Sequence, residues 1–152
     1  MEIVINDDNL HFNEIQEFSS KARAILIDKN NKILIANYGN VILLPGGKVD
    51  EGETISTAIT RELSEELGQN YSSNELEFLI TLNYYQKNYP KRDGIFQNRL
   101  AQTYYFVGSY KDIKKDSQKL TEKEQKNNFR LELVSLEDLE NMILSNKNNN
   151  PR

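Results

Sequence analysis

Leu44-Pro45-Gly46-Gly47-Lys48-Val49-Asp50-Glu51-Gly52-Glu53, then Thr54 to Thr60, then Arg61-Glu62-Leu63-Ser64-Glu65-Glu66-Leu67-Gly68-Gln69, is the stretch around which the chain is organised. The apolar run Val41 to Leu44 feeds a Pro-Gly-Gly turn, an acidic loop and a helix. Ile55, Ile59, Leu63 and Leu67 recur every four residues and make a core-facing stripe. Thr54 suits the N-cap and Gly68 a left-handed C-terminal stop. At ~100° per residue, Glu62, Glu65 and Glu66 crowd together about a quarter turn from the stripe. Like charges so placed repel, so the arrangement calls for something positive. Hard carboxylate oxygens at the rim of a core suit Mg²⁺ or Mn²⁺. A bare Glu-x-x-Glu-Glu also describes a solvated acidic helix face, and the surrounding residues separate the two readings. Gly46 and Gly47 make either a simple tight turn or, with the glutamates following, a site wall that a ligand can approach closely.

Together these residues resemble the signature of the Nudix hydrolases: Gly, five residues, Glu, seven residues, then Arg-Glu-apolar-x-Glu-Glu-x-Gly-apolar. Gly47, Glu53, Arg61, Glu62, Leu63, Glu65, Glu66 and Gly68 fall at its positions without insertion. The final apolar position holds Gln69, a departure that bears on the packing of the next loop and not on metal binding. The resemblance implies a Nudix-type α/β/α sandwich with a mixed β-sheet, as one domain over residues 1–152 with its signature segment at 47–69. It implies Glu62, Glu65 and Glu66 as ligands of Mg²⁺, or of Mn²⁺ in its place, with the carbonyl of Gly47 as an additional oxygen. It also implies a pair between Arg61 and Glu53. The reaction implied is attack by water within the diphosphate of a nucleoside diphosphate linked to another group. Glu62 and Glu65 are the candidates for the general base. Family members often add a carboxylate from a late loop, for which Glu122, Glu124 and Glu132 are candidates.

Composition narrows the alternatives. A length of 152 residues suits one domain with a real core. The formal net charge of −4 argues against a nucleic-acid scaffold, so no nucleic-acid polymer is expected as partner. With no cysteine, disulfides, thiolate zinc sites and cysteine nucleophiles are excluded. The one histidine, His11, lies in a polar stretch and reads as a surface residue. No run is long enough to span a membrane and the acidic start is no signal peptide, so a soluble cytoplasmic protein is expected.

Taken in order, residues Met1 to Ser20 hold at most one edge strand or turn. Ala22 to Asp28 and Lys32 to Asn37 read as a hairpin about the turn Asp28 to Asn31. Tyr38-Gly39-Asn40 turns into the short strand Val41 to Leu44. After the helix, Glu75 to Tyr85 reads as a long strand. Gln86 to Asn98, polar, basic and broken by Pro90 and Gly94, reads as a long surface loop. Leu100 to Val107 and Phe129 to Val134 read as strands, Thr121 to Gln125 as a loop or helical turn, and Leu136 to Leu144 as a helix. A polar tail occupies 146–152.

Substrate choice rests on weaker signals. Lys87, Lys91, Arg92 and Arg99 of the basic segment are candidates to contact phosphates, or form a solvated loop. Tyr84, Tyr85 and Tyr89 stack on a base or simply pack, and a family tyrosine near the place of Tyr85 hints at dinucleoside polyphosphates. The first reading is a nucleoside triphosphate pyrophosphohydrolase acting on a small-molecule nucleotide, with a dinucleoside polyphosphate or ADP-ribose hydrolase second. A nucleotide-sensing module that has lost catalysis is the rival from another class. The intact charged positions count against it. An isopentenyl-diphosphate isomerase would need a cysteine, and messenger-RNA decapping would need a larger basic patch. The composition leaves room for a homodimer.

Overall fold

A computed structural model describes residues 1–91 and 93–146. Arg92 and the tail beyond residue 146 therefore lie outside the described residues. Eight strands, β1 (Glu2–Ile5), β2 (Glu17–Ile27), β3 (Ile33–Tyr38), β4 (Val41–Leu43), β5 (Gly46–Lys48), β6 (Leu76–Pro90), β7 (Phe96–Ser109) and β8 (Arg130–Val134), form one sheet. Three helices accompany it among the described residues: α1 (Ile55–Leu67), α2 (Glu122–Lys126) and α3 (Leu136–Asn146). The sheet order is β1-β6-β7-β2-β3-β4, with β5 on β2 and β8 on β3. The pairs β1–β6 and β2–β7 are parallel and the others antiparallel, which makes the sheet mixed, as expected.

β2 decides where a site can form. Its edge towards β7 is paired along its whole length, from Glu17 opposite Arg99 to Ile27 opposite Ser109. The other edge is shared. β3 meets it only at Ile27, and β5 takes the stretch Lys21 to Arg23. The sheet therefore splits between β5 and the β3–β4 pair, and the split opens beside α1.

The core lies between α1 and one face of the sheet. Ala22, Ala24 and Leu26 alternate along β2 and are fully buried with Leu34, Ala58, Leu63 and Leu67; Ile59, Tyr71, Leu76 and Phe106 complete the cluster. Small alanines on β2 let α1 approach closely, and its four-residue stripe fills the space. The Thr54 hydroxyl accepts the N–H of Thr57, and Gly68 turns left-handed at φ 69°, so both helix ends fall where the local signals put them. A smaller cluster of Leu10, Ile15 and Leu100, with Tyr85 packed against it, closes the far end of β7.

Several elements depart from the expectations. The N-terminal region supplies β1, parallel to β6, and β2 begins at Glu17, five residues before Ala22. Gly46 and Gly47 are not a turn: with Lys48 they form β5. Gln86 to Asn98 is not a long loop. β6 runs to Pro90 and β7 starts at Phe96, with Gln86 opposite Arg99, Tyr89 opposite Gln97 and Pro90 opposite Phe96. Ladder pairing with a neighbouring strand overrides the weak strand preference of these polar residues. Asn88, at φ 53°, sits within the register shift that lets the chain pass. The turn proper is closed by Gly94 N–H to Lys91 C=O. No helix among the described residues is long and apolar enough to cross a membrane.

Candidate metal and phosphate site

Glutamates and glycines meet where the sheet splits. Gly46 lies opposite Arg23 of β2, and its backbone N–H points to α1, donating to Glu66 Oε2 at 3.1 Å. Two separate constraints demand glycines here. A Cβ on Gly46, at φ 138°, would stand 2.0 Å from the carbonyl oxygen of Ala22. A Cβ on Gly47 would stand 2.6 Å from Glu62 Oε1. Gly46 thus brings β5 onto β2, and Gly47 leaves room for a carboxylate. Gly47 is in register with Ala22, between the bonds Ala24 N–H to Pro45 C=O and Val49 N–H to Ser20 C=O, so its visible contribution is clearance.

Arg61 ties the acidic loop to the helix. Its Nε and Nη2 grip both oxygens of Glu53, at 2.7 and 3.0 Å. Nη1 reaches Glu62 Oε1 at 3.1 Å and Glu65 Oε2 at 3.3 Å, and Nη2 also donates to the carbonyl of Lys48 at 3.0 Å. The Arg61 guanidinium, helped by the N–H of Asp50, holds the Glu53 carboxyl down at about 2, and Glu53 in return raises the pKa of Arg61. The pair expected between Arg61 and Glu53 is formed.

The three helix glutamates differ in exposure. The side chain of Glu65 is 33% exposed and that of Glu62 is 14% exposed, while Glu66 as a whole residue is only 3% exposed. Glu66 is deeper than a rim position. Burial pushes its pKa well above the usual carboxylate range, Glu62 adds repulsion, and the Gly46 N–H opposes this only in part. Burial likewise raises Glu62, with Arg61 opposing and Glu65 and Glu124 adding to the rise. Of the late-loop carboxylates, only Glu124 comes close enough to act on both Glu62 and Glu66. Its own Oε1 caps α2 by accepting the N–H of Thr121. Glu122 is exposed, and Glu132 accepts from Asn37 on the β8–β3 edge.

The segment after β7 holds the far end of the helix. Lys114 N–H binds the carbonyl of Leu67, Lys119 N–H that of Glu65, and Gln118 Nε2 that of Glu66. These donors satisfy carbonyls that a helix end otherwise leaves open. Gln69, at the signature's apolar position, donates its side-chain amide to the carbonyl of Asp112, so the departure becomes a polar tie to the same segment.

Basic and aromatic candidates of the β6–β7 hairpin lie elsewhere. Arg99 is opposite Glu17, six residues along β2 from Arg23, which at ~3.3 Å per residue is roughly 20 Å of strand. The Arg99 guanidinium sits 4.3 Å over the Tyr89 ring, and its Nε is buried without a partner. Lys87 and Lys91 are exposed still farther out on the hairpin. Tyr85 packs against Leu10, Ile15 and Leu100 and is committed there. Lys87, Lys91 and Arg99 therefore lie away from the glutamate cluster. Sequence reasoning missed Arg23, the charged residue inside the apolar strand Ala22 to Ile27; a charge there was the available signal.

Among the described residues no three carboxylate or imidazole groups already converge as a finished metal cage. The donor chemistry nevertheless fits a divalent cation. Glu62 and Glu66 are desolvated carboxylates, Glu65 and Glu124 add negative charge, and Arg61 is largely consumed by Glu53.

Comparison with known proteins bears on the family and the fold. The model of the NUDIX domain family matches residues 18–151. The 8-oxo-dGTP diphosphatase of Escherichia coli (strain K12) is 42% identical over 53 residues, which cover 31% of this chain and 41% of that protein. The match thus spans about two fifths of that relative's length. Among solved structures, the MutT protein from Methanosarcina mazei Go1 superposes with a TM-score of 0.56 at 18% identity, covering 82% of this chain and 81% of that one. The NUDIX domain of Shewanella oneidensis NrtR, complexed with ADP ribose, gives 0.54 at 19% identity, covering 88% and 83%. These two likenesses concern the fold. With the family model spanning nearly all of the chain and the signature residues meeting at one split in the sheet, this chain belongs to the NUDIX domain family.

Proposed function

We propose that this protein hydrolyses a diphosphate bond in nucleotides with a divalent cation, and that nucleoside triphosphates are its first substrate class. The observation that carries the reading is the Glu62–Glu66 pair. Two desolvated carboxylates beside a third and a fourth hold a surplus of negative charge that a cation would relieve. The likeness to a protein named 8-oxo-dGTP diphosphatase supports the choice of a triphosphate.

Glu62, Glu65 and Glu66 would hold Mg²⁺, with Glu124 and the backbone of the Gly46–Gly47 strand beside them. Bound there, the ion would neutralise the carboxylates and supply Lewis-acid chemistry towards a phosphate and a water. The chain's own groups supply position. Gly46 N–H fixes one oxygen of Glu66, and Arg61 aligns Glu62 and Glu65 while anchored on Glu53. Glu62 or Glu65 takes the proton from the attacking water as the phosphoanhydride opens.

A second reading, hydrolysis of ADP-ribose or a dinucleoside polyphosphate, is favoured by one observation. The basic hairpin lies roughly 20 Å along the sheet, within reach of a long substrate only. A panel of nucleotides with Mg²⁺, its products resolved by phosphate position, tests both. Release of nucleoside monophosphate and diphosphate ion from a triphosphate is the expected result. Preferential cleavage of the long substrates would move the second reading first. Tight nucleotide binding without hydrolysis of any of them would overturn the enzymatic reading in favour of a sensor.

A further inference from the structure

Arg23 has a distinctive place among the described cations of this chain. It interrupts the apolar strand Ala22-Arg23-Ala24-Ile25-Leu26-Ile27, whose alternate residues Ala22, Ala24 and Leu26 are fully buried under α1. The two-residue period of a strand puts Arg23 on the opposite face. Its register partners are Gly46 in β5 and Tyr105 in β7. Gly46 is the residue whose N–H holds Glu66, so Arg23 stands across one strand from the glutamates, at the mouth of the split in the sheet.

The two arginines of the site are satisfied to different degrees. Arg61 spends its donors on Glu53, Glu62, Glu65 and the carbonyl of Lys48. Among the described residues Arg23 has one hydrogen-bond partner, the carbonyl of Leu44, to which Nη1 donates at 2.8 Å. Among the described residues it makes no salt bridge. A guanidinium carries five N–H donors in a planar fork, so four here have no acceptor among the described residues. Burial lowers the pKa of Arg23, while the fields of Glu66, Tyr105 and Glu62 oppose that shift. A half-buried guanidinium whose remaining donors are not sealed off can be completed by an anion. No acidic side chain among the described residues does so.

We propose that Arg23 is the phosphate-recognising side chain of this site, gripping a diphosphate from the sheet side while the carboxylates of α1 face it from the other. The proposal rests on the reading of the substrate as a diphosphate derivative and adds the residue that selects its anionic part. The bond to Leu44 pre-orients the guanidinium, which leaves its remaining edge free to meet phosphate oxygens in the bidentate manner that lysine cannot reproduce.

Methylenediphosphonate, which cannot be hydrolysed, isolates this contact from catalysis. Its binding to the full chain in saturating Mg²⁺ is measured by calorimetry, beside the binding of Mg²⁺ alone. Arg23→Met is expected to weaken methylenediphosphonate at least tenfold and leave the affinity for Mg²⁺ alone unchanged or tighter, because a positive charge has left the cluster. Arg23→Lys is expected to fall between Met and wild type. Methylenediphosphonate binding by Arg23→Met within twofold of wild type overturns the proposal. So does a loss matched by an equal loss of Mg²⁺ affinity, which would make Arg23 only a prop for the carboxylates. Should Arg23→Met not fold, Arg23→Lys decides alone: at least threefold weaker binding with unchanged Mg²⁺ affinity supports the contact, and wild-type binding refutes it. A protein that grips methylenediphosphonate through Arg23 yet hydrolyses no nucleotide keeps this inference and loses the enzymatic one.

Discussion

The backbone N–H of Gly46 donates to Oε2 of Glu66 at 3.1 Å, joining a strand residue to a helix carboxylate that is 3% exposed. One hydrogen bond does not compensate a carboxylate for loss of water. The metal-free site is therefore under electrostatic load, and its pH dependence should show this. Glu66 and Glu62 have folded pKa values raised above the ordinary 4.5. A raised carboxyl stabilises the fold fully below its unfolded pKa, and that contribution is lost as pH rises through the folded value. Glu53, held at about 2, does the reverse: its contribution is present above 4.5 and lost as pH falls towards 2. In chelator, Glu66→Gln should be more stable than wild type at pH 7.5 and lose that advantage near pH 4. Denaturant midpoints at the two pH values measure this. A Gln variant no more stable at pH 7.5 would contradict the assigned load.

Divalent cations should remove the load. At ~100 times its dissociation constant, one ion bound only to the folded state adds about 2.7 kcal/mol. The melting temperature of wild type should rise with Mg²⁺ and fall back with chelator, and Glu66→Gln should show a smaller rise. Equal shifts in both proteins would place the ion elsewhere.

Turnover should depend on the same residue. Glu66→Gln keeps the side chain's size and removes one ligand charge, so hydrolysis should drop ~10²-fold or more, roughly 2.7 kcal/mol of barrier. Initial rates on the best triphosphate provide the check, and near-wild-type turnover would remove α1 from the chemistry.

Two adjacent glycines should fail in different ways. Gly46→Ala forces a Cβ to 2.0 Å from a backbone oxygen at φ 138°, and should cost roughly 3 kcal/mol or more of stability. Gly47→Ala meets only the movable end of Glu62, so the fold should survive while activity falls ~10-fold or more through a displaced carboxylate. Paired unfolding and rate measurements separate them; a catalytically normal Gly47→Ala would show that Glu62 need not occupy its observed position.

Lys91→Ala should leave both kcat and KM for a nucleoside triphosphate nearly unchanged, because the hairpin projects away along β6 and β7. Its effect should appear only as a raised KM for long substrates. A several-fold rise in KM for a triphosphate would require the hairpin to fold over the glutamates.

Much of the site was legible because its signals are local. Thr54 and Gly68 bound α1 through hydrogen bonds and backbone preferences confined to a few residues. The grouping of Glu62, Glu65 and Glu66 follows from helical period alone, and the Arg61–Glu53 pair spans eight residues of one motif. Of the three late-loop candidates Glu122, Glu124 and Glu132, only the tertiary structure brings Glu124 within electrostatic reach of both Glu62 and Glu66.

What the sequence by itself determined was thus the helix, its acidic face and the family of the fold, since each depends on neighbours in the chain. The tertiary structure alone decided the rest. Pairing with β7 made a strand of the polar segment Gln86 to Pro90 and carried Lys87 away from the site. Pairing with β2 turned Gly46 and Gly47 from a turn into β5 and set Arg23 against Gly46, residues far apart in the chain. Strand register is chosen by partners distant in sequence, where backbone bonds and close packing outweigh local preference, so it leaves little trace in any single stretch.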